Sequence, residues 1–72
     1  MITIDYIQSF CSNIGIENTI EDEVCFSELG IDSLTVIELI HNIEMDYNIV
    51  IPWSSYDATM TIGDFIRNVN NL

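Results

Sequence analysis

Apolar residues recur at spacings of three and four in three stretches of this chain, as on the buried face of a helix. The first stretch runs from about Thr3 to Asn13, with Thr3 as its predicted N-cap. Asn13 and Gly15 supply the signal that ends it. The apolar residues of this first predicted helix are Ile4, Ile7, Phe10, Cys11 and Ile14.

A long connection, "IENTIEDEVCFSELGID", separates the first stretch from the second. A connection of this length in a small domain is usually functional. Its acidic side chains belong in water, whereas its apolar side chains are too numerous to be left exposed. We therefore expect the connection to lie over the helices and to tuck in its apolar residues, which are Ile20, Val24, Phe26, Leu29 and Ile31.

The second periodic stretch predicts a helix that starts at Asp32 or Ser33 and ends near Tyr47 or Asn48. The residues that follow, "IVIP", have the composition of a strand, but the chain offers no second strand to pair with them. Because an isolated strand is not stable, we predict that this segment is a buried connector.

Two pairs with the spacing of a capping box follow, Ser54 with Asp57 and Thr61 with Asp64. The first pair predicts a short helix that contains Tyr56, and the second predicts a longer helix. The apolar face of that longer helix comprises Ile62, Phe65, Ile66 and Val69. The predicted fold class is therefore all-α: a four-helix bundle, three main helices and one short, with a long loop between helices 1 and 2. It forms one domain over residues 1–72.

The second predicted helix has two apolar faces. At about 100° per residue, its core face comprises Val36, Leu39, Ile40, Ile43 and Tyr47. The residues that lie nearly opposite and face water are Thr35, Asn42 and Asp46. A third stripe, the mixed stripe, comprises Ser33, Leu34, Ile37, Glu38, His41 and Glu44. A small bundle cannot bury both apolar faces, so part of Leu34 and Ile37 is covered either by a partner or by the long loop.

The charge of the chain limits its partners. Twelve acidic residues face a single basic one, Arg67, which gives a net charge of −11. Nucleic acid and anionic membrane surfaces would repel such a chain, since both are densely negative. Basic protein surfaces would attract it and steer the encounter. The alternative is that the acidity serves solubility alone.

The remaining residues with metal or redox chemistry indicate no such site. Cys11 and Cys25 match neither a zinc spacing nor a CxxC motif, so we expect buried free thiols. Residues 21–23 are acidic but lack the pattern of a calcium loop, and His41 has no second ligand at metal spacing. The chain shows no signal peptide and no apolar run of roughly 18 residues, so we expect a cytoplasmic protein without membrane insertion.

Ser33 stands at the predicted start of the second helix, where three roles are conceivable. A catalytic triad with Asp32 and His41 is excluded, because eight residues of helix span about 12 Å, too far for a serine and its base. An N-cap is the second role. Covalent modification by a phosphate-bearing group is the third, since free amides and the helix dipole stabilise a phosphate there. Gly30 would let a modifying enzyme approach the backbone.

The segment "LGIDSLTVIEL" resembles the motif of acyl carrier proteins, in which the serine of an Asp-Ser-Leu triplet receives a 4′-phosphopantetheine arm. The similarity extends through "FSELGIDSL", "VIELIHNIEMDYNIVIP" and "TIGDFI", and as a pattern it covers the whole chain. A triplet alone occurs by chance. The pairs Leu-Gly before it, Glu-Leu after it and Ile-Pro further on make the resemblance specific.

The resemblance implies a non-catalytic, monomeric carrier. Ser33 would bear the arm, whose thiol holds acyl or polyketide intermediates as thioesters for fatty acid or polyketide synthesis. Asp32 would be read by the phosphopantetheinyl transferase that attaches the arm from coenzyme A. Ketosynthases, acyltransferases or other acyl-processing enzymes would contact the helix with basic patches, at Leu34, Ile37, Glu38, His41 and Glu44. The core would form a pocket between helices that shelters the acyl chain.

The chain departs from the family pattern at several positions. Thr35 stands where many members have an acid, and His41 where many have an apolar residue. The segment after Ile-Pro is poor in acids, and Trp53 within it either contacts a partner or packs on the bundle. Gly-Ile-Asp-Ser-Leu differs from the Gly-Gly-x-Ser common in peptidyl carriers, which favours an acyl load over an aminoacyl or peptidyl one. An unmodified acidic adaptor is the other alternative.

Overall fold

The fold is all-helical, as predicted, in a computed structural model that describes all residues from 1 to 72. Its α-helices are α1 (Ile4–Asn13), α2 (Ser33–Tyr47) and α3 (Ile62–Asn70). Two single-turn 3₁₀ helices, Phe26–Leu29 and Trp53–Ser55, precede and follow α2. None of the helices is long and apolar enough to cross a lipid bilayer.

The predicted starts of the three main helices are confirmed. Thr3 precedes α1 in extended backbone, although its side chain makes no capping hydrogen bond. The Thr61 hydroxyl accepts a hydrogen bond from the Asp64 amide at 3.1 Å and so caps α3. Helix α2 ends at Tyr47. The next residue, Asn48, has a φ of 54°, a left-handed conformation that cannot continue a right-handed helix.

The core consists of 16 buried hydrophobic residues and contains no buried polar side chain. Phe65 of α3 lies at its centre, between two other aromatic rings. The Phe26 ring lies 5.3 Å away at 84°, and the Tyr56 ring lies 5.3 Å away at 68°, both edge-to-face arrangements. Since Phe26 precedes α2 and Tyr56 follows it, Phe65 joins both flanking segments to the core.

The long connection between α1 and α2 packs on the bundle, as predicted. The Ile62 amide donates to the Val24 carbonyl at 2.9 Å, and the Gly63 amide donates to the Asp22 carbonyl at the same distance. A Cβ at Gly63 would lie 3.1 Å from that carbonyl, so only glycine allows this approach without a shift. Within the connection Ile20, Phe26 and Ile31 are buried, and Val24 and Leu29 are half-buried.

The two ends of the chain are held together. The Ile2 amide donates to Oδ1 of Asn70 at 3.0 Å, and Nδ2 of Asn70 donates to the Ile2 carbonyl at 2.9 Å. The Tyr47 hydroxyl donates to the Met1 carbonyl at 3.4 Å. The last turn of α2 therefore lies at the same pole of the molecule as both ends of the chain.

The predicted short helix is wrong in its position and length. Only one 3₁₀ turn forms, at Trp53–Ser55, and Tyr56 lies after it. The predicted cap is not made, because the Asp57 carboxylate instead accepts the Thr59 amide at 2.8 Å. This local turn competes with a helix for the same side chain.

The connector after α2 is only partly buried, which corrects a second prediction. Ile51 is buried, but Val50 is 87% exposed and Ile49 is 37% exposed. Tyr47, predicted for the core, is 39% exposed, because it lies at the end of α2, where its ring packs at 5.8 Å and a tilt of 54° against Tyr6. The other predicted core residues of α2 are buried, namely Val36, Leu39, Ile40 and Ile43.

Candidate functional site

The start of α2 is positioned by the turn before it. Gly30 has a φ of 80° and closes the 3₁₀ turn in the left-handed region, which favours glycine. The Ile31 amide then donates to the Phe26 carbonyl at 3.1 Å, and the Ile31 side chain is buried. The next residue, Asp32, is therefore delivered to the surface as the N-cap of α2.

Asp32 takes the capping role, which excludes that role for Ser33. Oδ1 of Asp32 accepts the Thr35 amide at 2.9 Å, and the Asp32 carbonyl accepts the Val36 amide at 3.1 Å. Ser33 is the first residue inside the helix, so it is not the N-cap. Its side chain is exposed and takes no part in the cap, which leaves the hydroxyl free for chemistry.

The helix start also presents unused backbone donors beside that hydroxyl. The amides of Ser33 and Leu34 make no backbone hydrogen bond, whereas those of Thr35 and Val36 are bonded to Asp32. Unpaired amides at a helix N-terminus, with the positive end of the helix dipole, stabilise a phosphate group. The residues present therefore fit a phosphodiester on the Ser33 oxygen.

The Asp32 carboxylate is stabilised in its charged form. The backbone and side-chain hydrogen bonds from Thr35 outweigh desolvation and lower the pKa of Asp32 below its usual value. The group is therefore ionised beside Ser33 at neutral pH. It contributes a fixed negative charge at the position where an enzyme would approach the serine.

We expect Asp32→Ala to lower the melting temperature, because the Thr35 amide loses its acceptor. Since the pKa of folded Asp32 is depressed, its stabilisation is present above the unfolded-state pKa and is lost as pH falls through the folded-state pKa. Melting curves of parent and variant should therefore converge in acid. Glu21→Ala, which removes an exposed carboxylate without a hydrogen bond, is the matched control. A constant difference at all pH values would contradict the prediction.

The continuous course of α2 confirms that no catalytic triad forms. Ser33 and His41 lie on one unbroken helix from 33 to 47. Their separation along its axis is about 12 Å, so the imidazole cannot take the proton of the serine hydroxyl. The arrangement offers a nucleophilic oxygen for another enzyme to use, without a base of its own.

The mixed stripe of α2 is largely open to solvent. Leu34 is 67% exposed, so the long connection does not cover it, and Ile37 is half-buried. Glu38 and His41 are exposed. Exposed Leu34, with the exposed acids Asp32 and Glu38 on the same helix, makes a surface that suits a basic protein partner with an apolar contact.

Glu44 forms hydrogen bonds within the molecule, which its position in the mixed stripe does not indicate. It is half-buried, and Oε2 accepts the Ile51 amide at 2.8 Å. The Glu44 carbonyl also accepts the Ile49 amide, at 3.3 Å. Glu44 therefore fixes the segment after α2 against the helix, and part of its carboxylate is already engaged within the molecule.

The structure adds one exposed residue to this face that the sequence reasoning missed. Met45 lies within about 20° of Leu34 on the helical wheel and is 83% exposed. The same wheel that defined the mixed stripe places it there. It belongs to the open face of α2, three turns beyond Leu34.

No cavity lies beneath Ser33. One shallow groove, lined by polar residues of α1 and the water-facing side of α2, includes Asp5, Ser9, Asn42 and Asp46. A smaller, apolar concavity of about 210 Å³ lies at the chain ends and includes Ile2, Ile49, Val69 and Leu72. The pocket between helices that the resemblance implied is filled by core side chains in this conformation.

Comparison of the sequence with known proteins identifies its family. The sequence profile of the phosphopantetheine attachment site matches residues 7–69 of the chain. The acyl carrier protein of Sulfurovum sp. is 35% identical over 60 residues, which are 83% of this chain and 80% of that protein. The chain belongs to the acyl carrier protein family. It is therefore a carrier rather than a catalyst, of the class that bears covalent 4′-phosphopantetheine.

Further relatives include both small carriers and large synthases. The acyl carrier protein of Shigella flexneri is 34% identical over 65 residues, which are 90% of this carrier and 83% of the relative. Orsellinic acid synthase ArmB of Armillaria ostoyae is 34% identical over 59 residues, which are 81% of this carrier but 3% of the synthase. No solved structure matches this carrier at a significant level.

Proposed function

We propose that this protein carries acyl or polyketide intermediates as thioesters on a 4′-phosphopantetheine arm attached to Ser33. It presents them to enzymes of fatty acid or polyketide synthesis. The observation that carries the proposal is the free Ser33 hydroxyl at the start of α2, within the segment that matches the attachment-site profile.

Three features of the site support attachment at Ser33. The hydroxyl is exposed, and Asp32 has relieved it of the capping role. The Ser33 amide makes no hydrogen bond and is free to donate to a phosphate oxygen. No other serine of the chain stands at the start of an α-helix. The Ser33 oxygen therefore attacks the phosphorus of coenzyme A that carries the pantetheine. The phosphodiester bond forms as the pyrophosphate bond breaks, adenosine 3′,5′-bisphosphate leaves, and the serine proton goes to a base on the modifying transferase.

The chemistry that the arm supplies when bound is a terminal thiol that holds an acyl group as a thioester. What this chain supplies is position. The exposed start of α2 lets the arm extend into another enzyme, while the packed core keeps the bundle rigid.

The docking surface in this proposal begins at Asp32, for recognition by the transferase, and continues along the mixed stripe. Its other members are Leu34, Ile37, Glu38, His41 and Glu44. Exposed Leu34 supplies apolar contact, and exposed Glu38 supplies charge. The partners are a phosphopantetheinyl transferase and then ketosynthases, acyltransferases or other acyl-processing enzymes with basic docking patches. Electrostatic steering by a net charge of −11 favours such partners.

The proposal includes a cytoplasmic location and a monomeric single domain over residues 1–72. The two cysteines, buried Cys11 and half-buried Cys25, are unpaired thiols, which fits a reducing compartment. Two copies with a charge of −11 each repel one another, which favours the monomer.

The test is the intact mass of the protein after incubation with coenzyme A and a broad-specificity phosphopantetheinyl transferase. We expect the parent chain to gain the mass of one phosphopantetheine group and Ser33→Ala to gain none. Ser27→Ala, which changes an exposed serine of the preceding 3₁₀ turn, is the matched control and should gain it fully.

A parent chain that gains no mass would indicate an unmodified acidic adaptor and contradict the proposal. A gain that survives in Ser33→Ala would move the attachment to another residue. Once the arm is attached, loading with malonyl, acyl or aminoacyl donors separates an acyl or polyketide carrier from an aminoacyl one.

A further inference from the structure

Three large apolar side chains stand in solvent just beyond the mixed stripe. Met45 is 83% exposed, Val50 is 87% exposed and Trp53 is 56% exposed. We propose that these three residues form an apolar anchor for an acyl-processing enzyme, which binds it with an apolar pocket framed by basic residues. The inference rests on the proposed carrier function, and it adds a second contact to the docking surface on α2.

The anchor residues are held in a fixed arrangement. Val50 lies between Ile49 and Ile51, whose amides donate to Glu44 at 3.3 and 2.8 Å, and Met45 is the next residue of α2. The Ile51 side chain is buried in the core, which anchors the residues around Val50 to the bundle. Trp53 begins a 3₁₀ turn closed by its carbonyl and the Tyr56 amide at 3.1 Å. These side chains are presented by backbone that is held by hydrogen bonds, so little backbone entropy is lost when they bind.

The position of the anchor suits an enzyme that also reaches Ser33. Met45 is twelve residues after Ser33 on an unbroken helix, about 18 Å along its axis. Leu34 and Met45 lie on the same side of α2. An enzyme surface about that long, laid along α2, contacts the anchor while its active-site entrance faces Ser33.

The charge of the chain selects the kind of occupant. The one basic side chain, Arg67, lies on α3 and pairs with Asp64, so the segment from Met45 to Trp53 contains no lysine or arginine. An anionic lipid surface would be repelled. A second copy of the chain would bring two net charges of −11 together. A basic protein surface gains from both the apolar contact and the charge.

Residue chemistry points to the same occupant. Tryptophan and methionine are enriched in protein interfaces, and tryptophan is prominent among residues whose truncation costs most affinity. The core is complete without these three side chains, since 16 other hydrophobic residues form it. Truncating them should therefore affect docking far more than folding.

The test uses the phosphopantetheine-loaded chain with a purified bacterial ketosynthase as the probe. Trp53 is the only tryptophan, so a fluorotryptophan-labelled chain gives one fluorine resonance that reports on this position. We expect that resonance to shift when the ketosynthase is added. We expect Trp53→Ala to weaken the affinity by about tenfold or more, and Met45→Ser and Val50→Ser to weaken it by smaller factors. The loss should persist at high salt, since an apolar contact is not screened.

Leu72→Ala, which truncates an exposed hydrophobic residue at the end of the chain, is the control and should bind as the parent does. An affinity of Trp53→Ala within twofold of the parent overturns the anchor, as does an unshifted fluorine resonance or a ketosynthase that does not bind the loaded parent. If the parent still gains the arm at Ser33 in those cases, the carrier function stands and only the anchor fails. If the parent gains no arm, both fail.

Discussion

Phe65→Ala should lower the free energy of unfolding by about 3–5 kcal/mol. The side chain is fully buried, and the rings of Phe26 and Tyr56 both pack edge-to-face against it. A domain of 72 residues has about 4–11 kcal/mol in total, at 0.05–0.15 kcal/mol per residue. The substitution therefore removes a large share of the stability, and it also loosens both segments that flank α2. Chemical denaturation followed by circular dichroism measures the loss.

Phe65→Leu is the matched control, because it keeps most of the buried volume and loses only the ring contacts. It should cost clearly less than the alanine variant. A Phe65→Ala variant within about 1 kcal/mol of the parent would mean that Phe26 and Tyr56 are held to the core by other contacts. The role assigned to Phe65, as the link between α3 and the segments around α2, would then be wrong.

Glu44→Ala should lower the free energy of unfolding by about 1–3 kcal/mol. The Ile51 amide, which is partly buried, would lose the carboxylate oxygen that accepts its hydrogen bond at 2.8 Å. The segment that carries Val50 and Trp53 should then open more often. Hydrogen exchange at the Ile51 amide measures that opening directly, and denaturation measures the stability.

Glu44→Gln separates the structural role of Glu44 from its charge. The glutamine retains a carbonyl oxygen that can accept the Ile51 amide, so it should recover most of the stability and the slow exchange. If Glu44 acts in docking through its charge, the glutamine variant should still bind basic partners less well. Equal exchange rates in the parent and Glu44→Ala would show that the hydrogen bond does not hold the segment.

The helices were predictable where local signals determined them. The spacing of Thr61 and Asp64 located the start of α3, and the apolar period located the start of α2 to within one residue. The cap formed by Asp32 was not predicted, because Ser33 was considered for that role. The buried residues of α2 followed from the helical period, except Tyr47 at its last turn. The period assigns a direction to a side chain, but it does not say where the core ends.

The segment after α2 was not predictable, because competing interactions decide its structure. Ser54 and Asp57 have helical cap spacing, yet Asp57 bonds to Thr59 and only a 3₁₀ turn forms. The three aliphatic residues 49–51 looked uniformly buried, whereas the turn at Asn48 and the hydrogen bonds to Glu44 direct Ile51 inward and leave Val50 outside. Such outcomes depend on tertiary contacts that no local pattern contains.

The candidate site, like the fold, was predictable only in part. The exposed Leu34 and the position of Ser33 followed from the helical wheel, and Met45 could have been found on the same wheel. The hydrogen bond by which Glu44 holds the segment after α2 had no signal in the sequence, because its partner is the backbone amide of Ile51, seven residues away. An acid in an exposed stripe is therefore an ambiguous indication of docking until its hydrogen bonds are known.

The reciprocal hydrogen bonds between Ile2 and Asn70 also determine how this carrier can be tethered. Both termini emerge beside the last turn of α2, and Ser33 lies at the opposite end of that helix, about 21 Å away. A purification tag, a fluorophore or a fused synthase module joined at either terminus would project from the rear of the molecule. Immobilised by one end on a sensor chip, the carrier would leave its serine pointing towards the flowing solution.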